Sequence, residues 1–249
     1  YRARIKLPKT AVDGPVPDLS FSFFTPPVEV KTENITLVYE DPSRPDNPLI
    51  RGNIVFSDVM LPEEIASVLD ATMGSSRMPV RLETASKGRL FSFQVGGLER
   101  LEKEQTLSLA LNTRGGLQSS KEAQRVSIPG KGDFRVLDIR TRYYDDTVVE
   151  VVFSEPLKAD QDLRGLVGTA QGVIDGRLTY AIRNNLLRVY YNEAWPQNFD
   201  FQVKPGVQSE LGMILATSST TPIQLPRERP QVRFLGRGTI IPDASQTYI

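Results

Sequence analysis

The chain has 249 residues, 39% of them hydrophobic and 24% charged, and its 30 basic side chains balance 30 acidic ones to a formal net charge of zero. This is the composition of a folded globular protein with room for two cores, and it provides no global field to draw nucleic acid or an acidic membrane surface. There is no cysteine and no histidine, which excludes disulfides, thiolate metal sites, a cysteine nucleophile, an internal thioester and the commonest general base within these residues; no apolar run approaches the roughly 18 residues of a spanning helix.

Residues 1–17 hold Pro8, Gly14, Pro15 and Pro17 with little periodicity and read as an N-terminal lead or linker. Leu19, Phe21 and Phe23 then alternate with Ser20 and Ser22, the period of a half-buried strand. Pro26-Pro27 breaks it; residues 28–30 resume it or open the next strand, and 35–39 form another. The proline-rich stretch 41–48 is a loop. Residues 50–56 make a strand that runs into a corner at Ser57-Asp58. After it, Pro62 at a first-turn position, Glu63-Glu64 favouring the helix dipole, and Ile65, Val68 and Leu69 at helical spacing predict one short helix over 62–69. Strands follow at 80–82, 90–95 and 107–111, then a turn at 114–119 and a strand at 125–128. Pro129-Gly130-Lys131-Gly132 marks the domain boundary.

From Phe134 the pattern begins again. Residues 136–141 form a strand and Asp145-Asp146 a turn. Val148 to Phe153 is the strand around which the chain is organised: Val149, Val151 and Phe153 share one face, and Ser154-Glu155-Pro156 ends it. Leu178, Tyr180 and Ile182 alternate, Asn184-Asn185 makes a tight turn, and 186–191 return as a hairpin. Phe199, Phe201 and Val203 follow, then a turn at 204–209 and strands at 213–216 and 223–225.

The two halves match in order. Phe56-Ser57-Asp58 answers Phe153-Ser154-Glu155, residues 107–111 answer 199–203, and Gly116-Leu117-Gln118-Ser119 answers Gly206-Val207-Gln208-Ser209. This predicts a tandem duplication, and about seven short strands per roughly 100-residue half suit an immunoglobulin-like sandwich. The expected fold class is all-β: sandwiches over 18–131 and 132–226, one short helix, and a linker at 227–249 passing into the first strand of a third β unit. The chain begins at Tyr1 without an initiator methionine and stops just after a strand-like stretch, so both ends are expected to be cut from a longer polypeptide.

Few residues carry reactive chemistry. Asp145 with Asp146, and Asp160 with Asp162, are the nearest to paired carboxylates, as a calcium site or a glycosidase-type acid and base would need, but calcium takes six or more oxygens, and aspartates of this kind cap turns through their own side chains. Arg227, Arg229, Arg233 and Arg237 form the basic concentration; with Glu228 among them and only Phe234 interleaved, they fit an anionic partner or a neighbouring domain better than nucleic acid. Trp195 is expected in core or interdomain packing, with stacking on a sugar ring as the alternative. Trp195, Arg227, Arg229 and Arg233 are therefore the candidate interaction surface. Gly236-Arg237-Gly238 is too short for a nucleotide motif, and the serines have no histidine to activate them. No catalytic set, cofactor site or metal site is predicted, and the chain is expected not to be an enzyme.

Several stretches resemble the N-terminal region of large bacterial alpha-2-macroglobulins: residues 52–58 (GNIVFSD), 132–138 (GDFRVLD), 153–157 (FSEPL) with 161–166 (QDLRGL), and 230–238 (PQVRFLGRG). With their order, the resemblance covers residues 16–249. It implies an exported, often lipid-anchored protein that traps proteases after cleavage in a bait region, some members adding a Cys-Glu-Gln thioester. This segment would then be a non-catalytic pair of sandwiches in the periplasm or cell envelope, with the lipidated N-terminus outside it. Its partners would be further domains of the same polypeptide and, through the full-length parent, proteases. No functional residue of the family maps to a numbered position here. The alternatives are a tandem surface adhesin or binding module using Trp195 or Tyr190 and Tyr191, and accessory β domains of a secreted hydrolase.

Overall fold

The computed structural model describes residues 2–5, 19–22 and 26–225, apart from 43, 85, 114–115, 120–122 and 173. The tail expected to hold a linker and the start of a third unit lies outside the described residues. Within the lead, strand β1 (Arg2–Ile5) pairs antiparallel with β2 (Leu19–Ser22) as a separate two-stranded sheet. The stretch expected as a lead or linker thus contributes a strand, and the strand expected from Leu19 is present but pairs with it, outside the sheets of the sandwich.

The first sandwich is built from β3 (Val28–Val38), β4 (Leu49–Met60), β5 (Leu69–Met73), β6 (Ser76–Met78), β7 (Val80–Leu82), β8 (Gly88–Val95), β9 (Gln105–Leu111), β10 (Leu117–Gln118) and β11 (Gln124–Ile128). One sheet has the order β10-β3-β4-β8-β7 and the other β11-β9-β5-β6. Lettered A to G in chain order, β3, β4, β5, β7, β8, β9 and β11 give sheets A-B-E-D and G-F-C, with β6 as an extra strand beside C. That is the immunoglobulin arrangement.

The second sandwich uses β12 (Val136–Tyr143), β13 (Thr147–Phe153), β14 (Val167–Thr169), β15 (Leu178–Arg183), β16 (Leu186–Tyr191), β17 (Asn198–Val203) and β18 (Ser219–Gln224). Its sheets, β12-β13-β16-β15 and β14-β17-β18, are again A-B-E-D and C-F-G. The chain is all-β, two sandwiches of one topology.

Alternation builds each core. Ile50, Ile54 and Phe56 of β4 meet Phe91, Phe93 and Val95 of β8 and Leu107 and Leu109 of β9 in the first. Val149, Val151 and Phe153 of β13 meet Leu187 and Val189 of β16 and Phe199, Phe201 and Val203 of β17 in the second. Burial of such apolar surface is the main stabilising term, at about 25 cal/mol per Å².

Three local expectations change. The helix is α1 (Pro62–Ile65), one turn, with Glu64 reaching back to accept the Leu61 N–H at 2.8 Å. Val68 and Leu69 continue the helical spacing in sequence, but Leu69 pairs with Leu111 as the first residue of β5, and ladder pairing overrides the propensity. Residues 28–38 form one strand, with Asn34 at φ 58 and a register shift between Glu33 and Thr36. Residues 213–216 contribute only the bridge from Ile214 to Gln208, and the last strand starts at Ser219.

Candidate functional site

A buried polar cluster lies where the two sandwiches meet, and β13 delivers half of it. Its inward side chains are fixed in the second core, and Pro156 has no N–H to continue the ladder, so the chain leaves the sheet at Ser154-Glu155. Ser154 Oγ accepts the Arg135 N–H at 2.8 Å and donates to the Asp133 carbonyl at 2.7 Å. The Ser154 carbonyl accepts the hydroxyl of Tyr39, at the end of the first sandwich's strand A. Burial pushes the Tyr39 hydroxyl well above the usual tyrosine range, against the opposing pull of the Arg100 guanidinium.

Glu155 reaches further into the first sandwich. Its Oε1 accepts from Arg100 Nη2 at 3.2 Å, and both side chains are only 1% exposed. The same guanidinium donates from Nε to the Pro129 carbonyl at 3.0 Å and from Nη2 to the Gly130 carbonyl at 2.5 Å. Taking both charges out of water costs several kcal/mol, and the pair holds because the cation also saturates linker carbonyls. Glu155 Oε2 has no partner among the described residues.

The Asn184-Asn185 turn clasps the other side. Asn184, at φ 56, donates from Nδ2 to the Tyr39 carbonyl at 2.7 Å. Asn185 Nδ2 donates to the Leu37 carbonyl at 2.9 Å and to Phe153 at 2.8 Å. Both asparagines thus satisfy backbone acceptors of the first sandwich from a hairpin of the second.

The connecting segment has no slack. The Lys131 N–H donates to the Leu101 carbonyl at 2.8 Å, and Lys131 Nζ lies 3.2 Å from Asp46. A Cβ on Gly130 would stand 2.4 Å from the Glu102 carbonyl oxygen. Leu137 packs on the first core, and Val152, outward from the second, faces residues 35–37 and 124–127 across a crevice of about 250 Å³.

A second polar cluster covers the outer face of the A-B-E-D sheet of the second sandwich. Glu150, buried in mid-β13, pairs with Arg140 Nε at 3.3 Å, Arg142 Nε at 3.7 Å and Arg188 Nε at 3.1 Å. The Tyr144 hydroxyl donates to it at 2.8 Å, and Arg188 lies 4.9 Å above the Tyr144 ring. Burial alone would raise the Glu150 carboxyl; the Tyr144 hydroxyl and the guanidiniums outweigh it and hold the group below the usual glutamate range.

The residues picked out from sequence sit elsewhere. Trp195 is buried in the second core, stacked on Phe199 at 5.0 Å, with Nε1 donating to the Thr147 carbonyl at 2.9 Å. It is therefore no exposed platform. Arg227, Arg229 and Arg233 lie outside the described residues. Asp162 is held to about 2 by hydrogen bonds from Arg164, leaving its carboxylate committed. Among the described residues no three carboxylates are grouped to hold a metal. Arg100 and Tyr39 carried no sequence signal: Arg100 stands in the charged run 99–104, which reads as a solvated loop.

No family model, curated protein or solved structure matches the chain.

Proposed function

We propose that the chain is a non-catalytic N-terminal pair of sandwiches in an exported bacterial protease trap of the alpha-2-macroglobulin kind. Its task there is to hold the following domains at a set distance and angle. The observation that carries this is the bonded joint: the buried Arg100–Glu155 pair, with Tyr39, Asn184 and Asn185, ties the two sandwiches together through side chains of both. Two of the stretches that resemble the family, 132–138 and 153–157, converge on that joint, which is where a spacer's sequence is most constrained. The periplasm or cell envelope is the compartment that goes with this reading.

The test uses the full-length parent incubated with a broad-specificity protease. Residual activity is measured on a large protein substrate and on a small chromogenic peptide. Loss of the first with survival of the second is the expected result, because a caged protease still admits small substrates. Equal survival of both rejects the trap.

A binding-module reading has one observation behind it: Tyr143 and Tyr144 are both exposed, and Arg188 lies over the Tyr144 ring. Binding of a glycan array by the isolated chain, lost on Tyr143→Ala, would favour it instead.

A further inference from the structure

The two sandwiches differ at one seam. In the first, β10 closes it, running parallel to strand A with Leu117 opposite Val28 and Gln118 opposite Glu29. Two observations fix the equivalent positions in the second. Val136 pairs with Phe153 as Val30 pairs with Phe56, and the Ser154 hydroxyl takes the Arg135 N–H as the Ser57 hydroxyl takes that of Glu29. Phe134 and Arg135 therefore stand where Val28 and Glu29 stand.

No described strand lies beside them. The segment that answers β10 turns inward instead: Val207 is buried in the core, its carbonyl accepting the Leu215 N–H at 2.8 Å, and Ser209 bridges to Leu157. What is left is a groove of about 510 Å³ between residues 132–136 and a far wall of Met213, Ile214 and residues 216–219. The backbone N–H and carbonyl of Phe134, Thr217 and Ser218 have no backbone partner among the described residues. Leu211, Met213 and Ile214 stand exposed at 53%, 38% and 60%.

We propose that this open seam binds an extended strand of another polypeptide, running parallel to β12 and apolar at alternate positions. It would lie where Leu117-Gln118 lies in the first sandwich. Main-chain pairing supplies the affinity of such strand addition, and alternate side chains supply its selectivity. The first sandwich shows that this edge takes a parallel neighbour. A second copy presenting its own β12 about a two-fold axis would have to pair antiparallel, so the occupant is not the same edge of a twin molecule. Arg135 is already committed to Glu104 at 2.8 Å and Asp133 at 3.0 Å, so the strand needs no charge at its centre.

Hydrogen exchange on the 249-residue chain tests this, with the octapeptide Lys-Thr-Val-Thr-Val-Thr-Val-Lys as probe and a version carrying proline at its central positions as control. The expected result is about tenfold slower exchange of the amides of Phe134, Thr217 and Ser218 with the probe but not with the control. Ile214→Asp should abolish the effect while the amides of β13 and β17 keep their protection. Four results overturn the proposal. One is no change at about millimolar peptide, and another is protection at the free edge of β11 or β15 instead. A third is protection without peptide that rises with protein concentration, which assigns the seam to a second copy. The last is prior protection that disappears when residues 226–249 are removed, which assigns it to the chain itself.

Discussion

Ser57 and Ser154 occupy the same corner of successive sandwiches, and each hydroxyl accepts one strand-A N–H, that of Glu29 at 2.9 Å and that of Arg135 at 2.8 Å. The residue that follows departs completely. Asp58 is exposed, 3.9 Å from Arg89, whereas Glu155 is buried against Arg100. One local geometry thus serves a free surface in one copy and a joint in the other, and what differs is the body beyond the corner.

The two serines should separate by substitution. Ser154 is buried and both accepts and donates, so Ser154→Ala should cost about 1–3 kcal/mol, because it strands a part-buried N–H and carbonyl. Ser57 is exposed, and Ser57→Ala should cost less, since water replaces its oxygen. Urea midpoints of the two variants decide; equal losses would mean that the joint adds nothing.

Removing one member of the joint's ion pair should hurt more than removing both. Glu155→Gln leaves the Arg100 charge buried without its counter-ion, for an expected loss of about 3–5 kcal/mol. Arg100→Met combined with Glu155→Leu should recover much of that. A double variant no better than the worse single one would contradict the account.

Tyr39 makes the joint sensitive to alkali. Its folded pKa is raised, so its contribution is fully present below the unfolded value near about 10 and is lost as pH rises toward the folded one. Stability should fall by about 1.4 kcal/mol per pH unit above that point, over and above the other tyrosines. Tyr39→Phe should remove this part of the slope. Chemical unfolding at several alkaline pH values would show parallel lines if Tyr39 were not involved.

Glu150 gives the opposite dependence. Its folded pKa is depressed, so its contribution is present above the unfolded value of about 4.3 and is lost as pH falls through the folded one. Glu150→Gln should therefore destabilise at neutral pH and converge with the parent in acid. A gap that stays constant down to acid pH would show that the loss is steric.

Two neighbouring glycines should fail for different reasons. Gly130→Ala drives a methyl toward the Glu102 carbonyl, an overpacking cost of about 1–3 kcal/mol that opens the joint. Gly132 has φ 74 and open space around it, so Gly132→Ala costs about 1 kcal/mol of backbone strain and leaves the joint closed. Limited proteolysis near residue 130 distinguishes them: only the first should become cleavable.

The strands were legible because their signals are local. Alternation along 50–56, 107–111, 148–153 and 199–203, with proline or glycine at the ends, places each in a sheet, and repetition of their order gives the topology. The strands at 69–78 were missed because Leu69 extends a helical spacing, and only pairing with Leu111 decides against it. The joint was illegible for a deeper reason. Arg100 and Glu155 lie 55 positions apart, and a charge inside a charged loop reads as solvated until a second body arrives to bury it. Asn184 and Asn185 were visible as a turn, but nothing within the hairpin says where their amides point.

The joint brings together two unlike surfaces, the corner end of one sandwich and the loop end of the one before it. Contacts between unlike surfaces do not close into a pair; repeated, they propagate with a constant rotation and rise per step. Sandwiches joined this way therefore have a polarity, and their number sets both how far the last one stands from the first and which way around the axis it faces. Adding or deleting one would change direction as well as length.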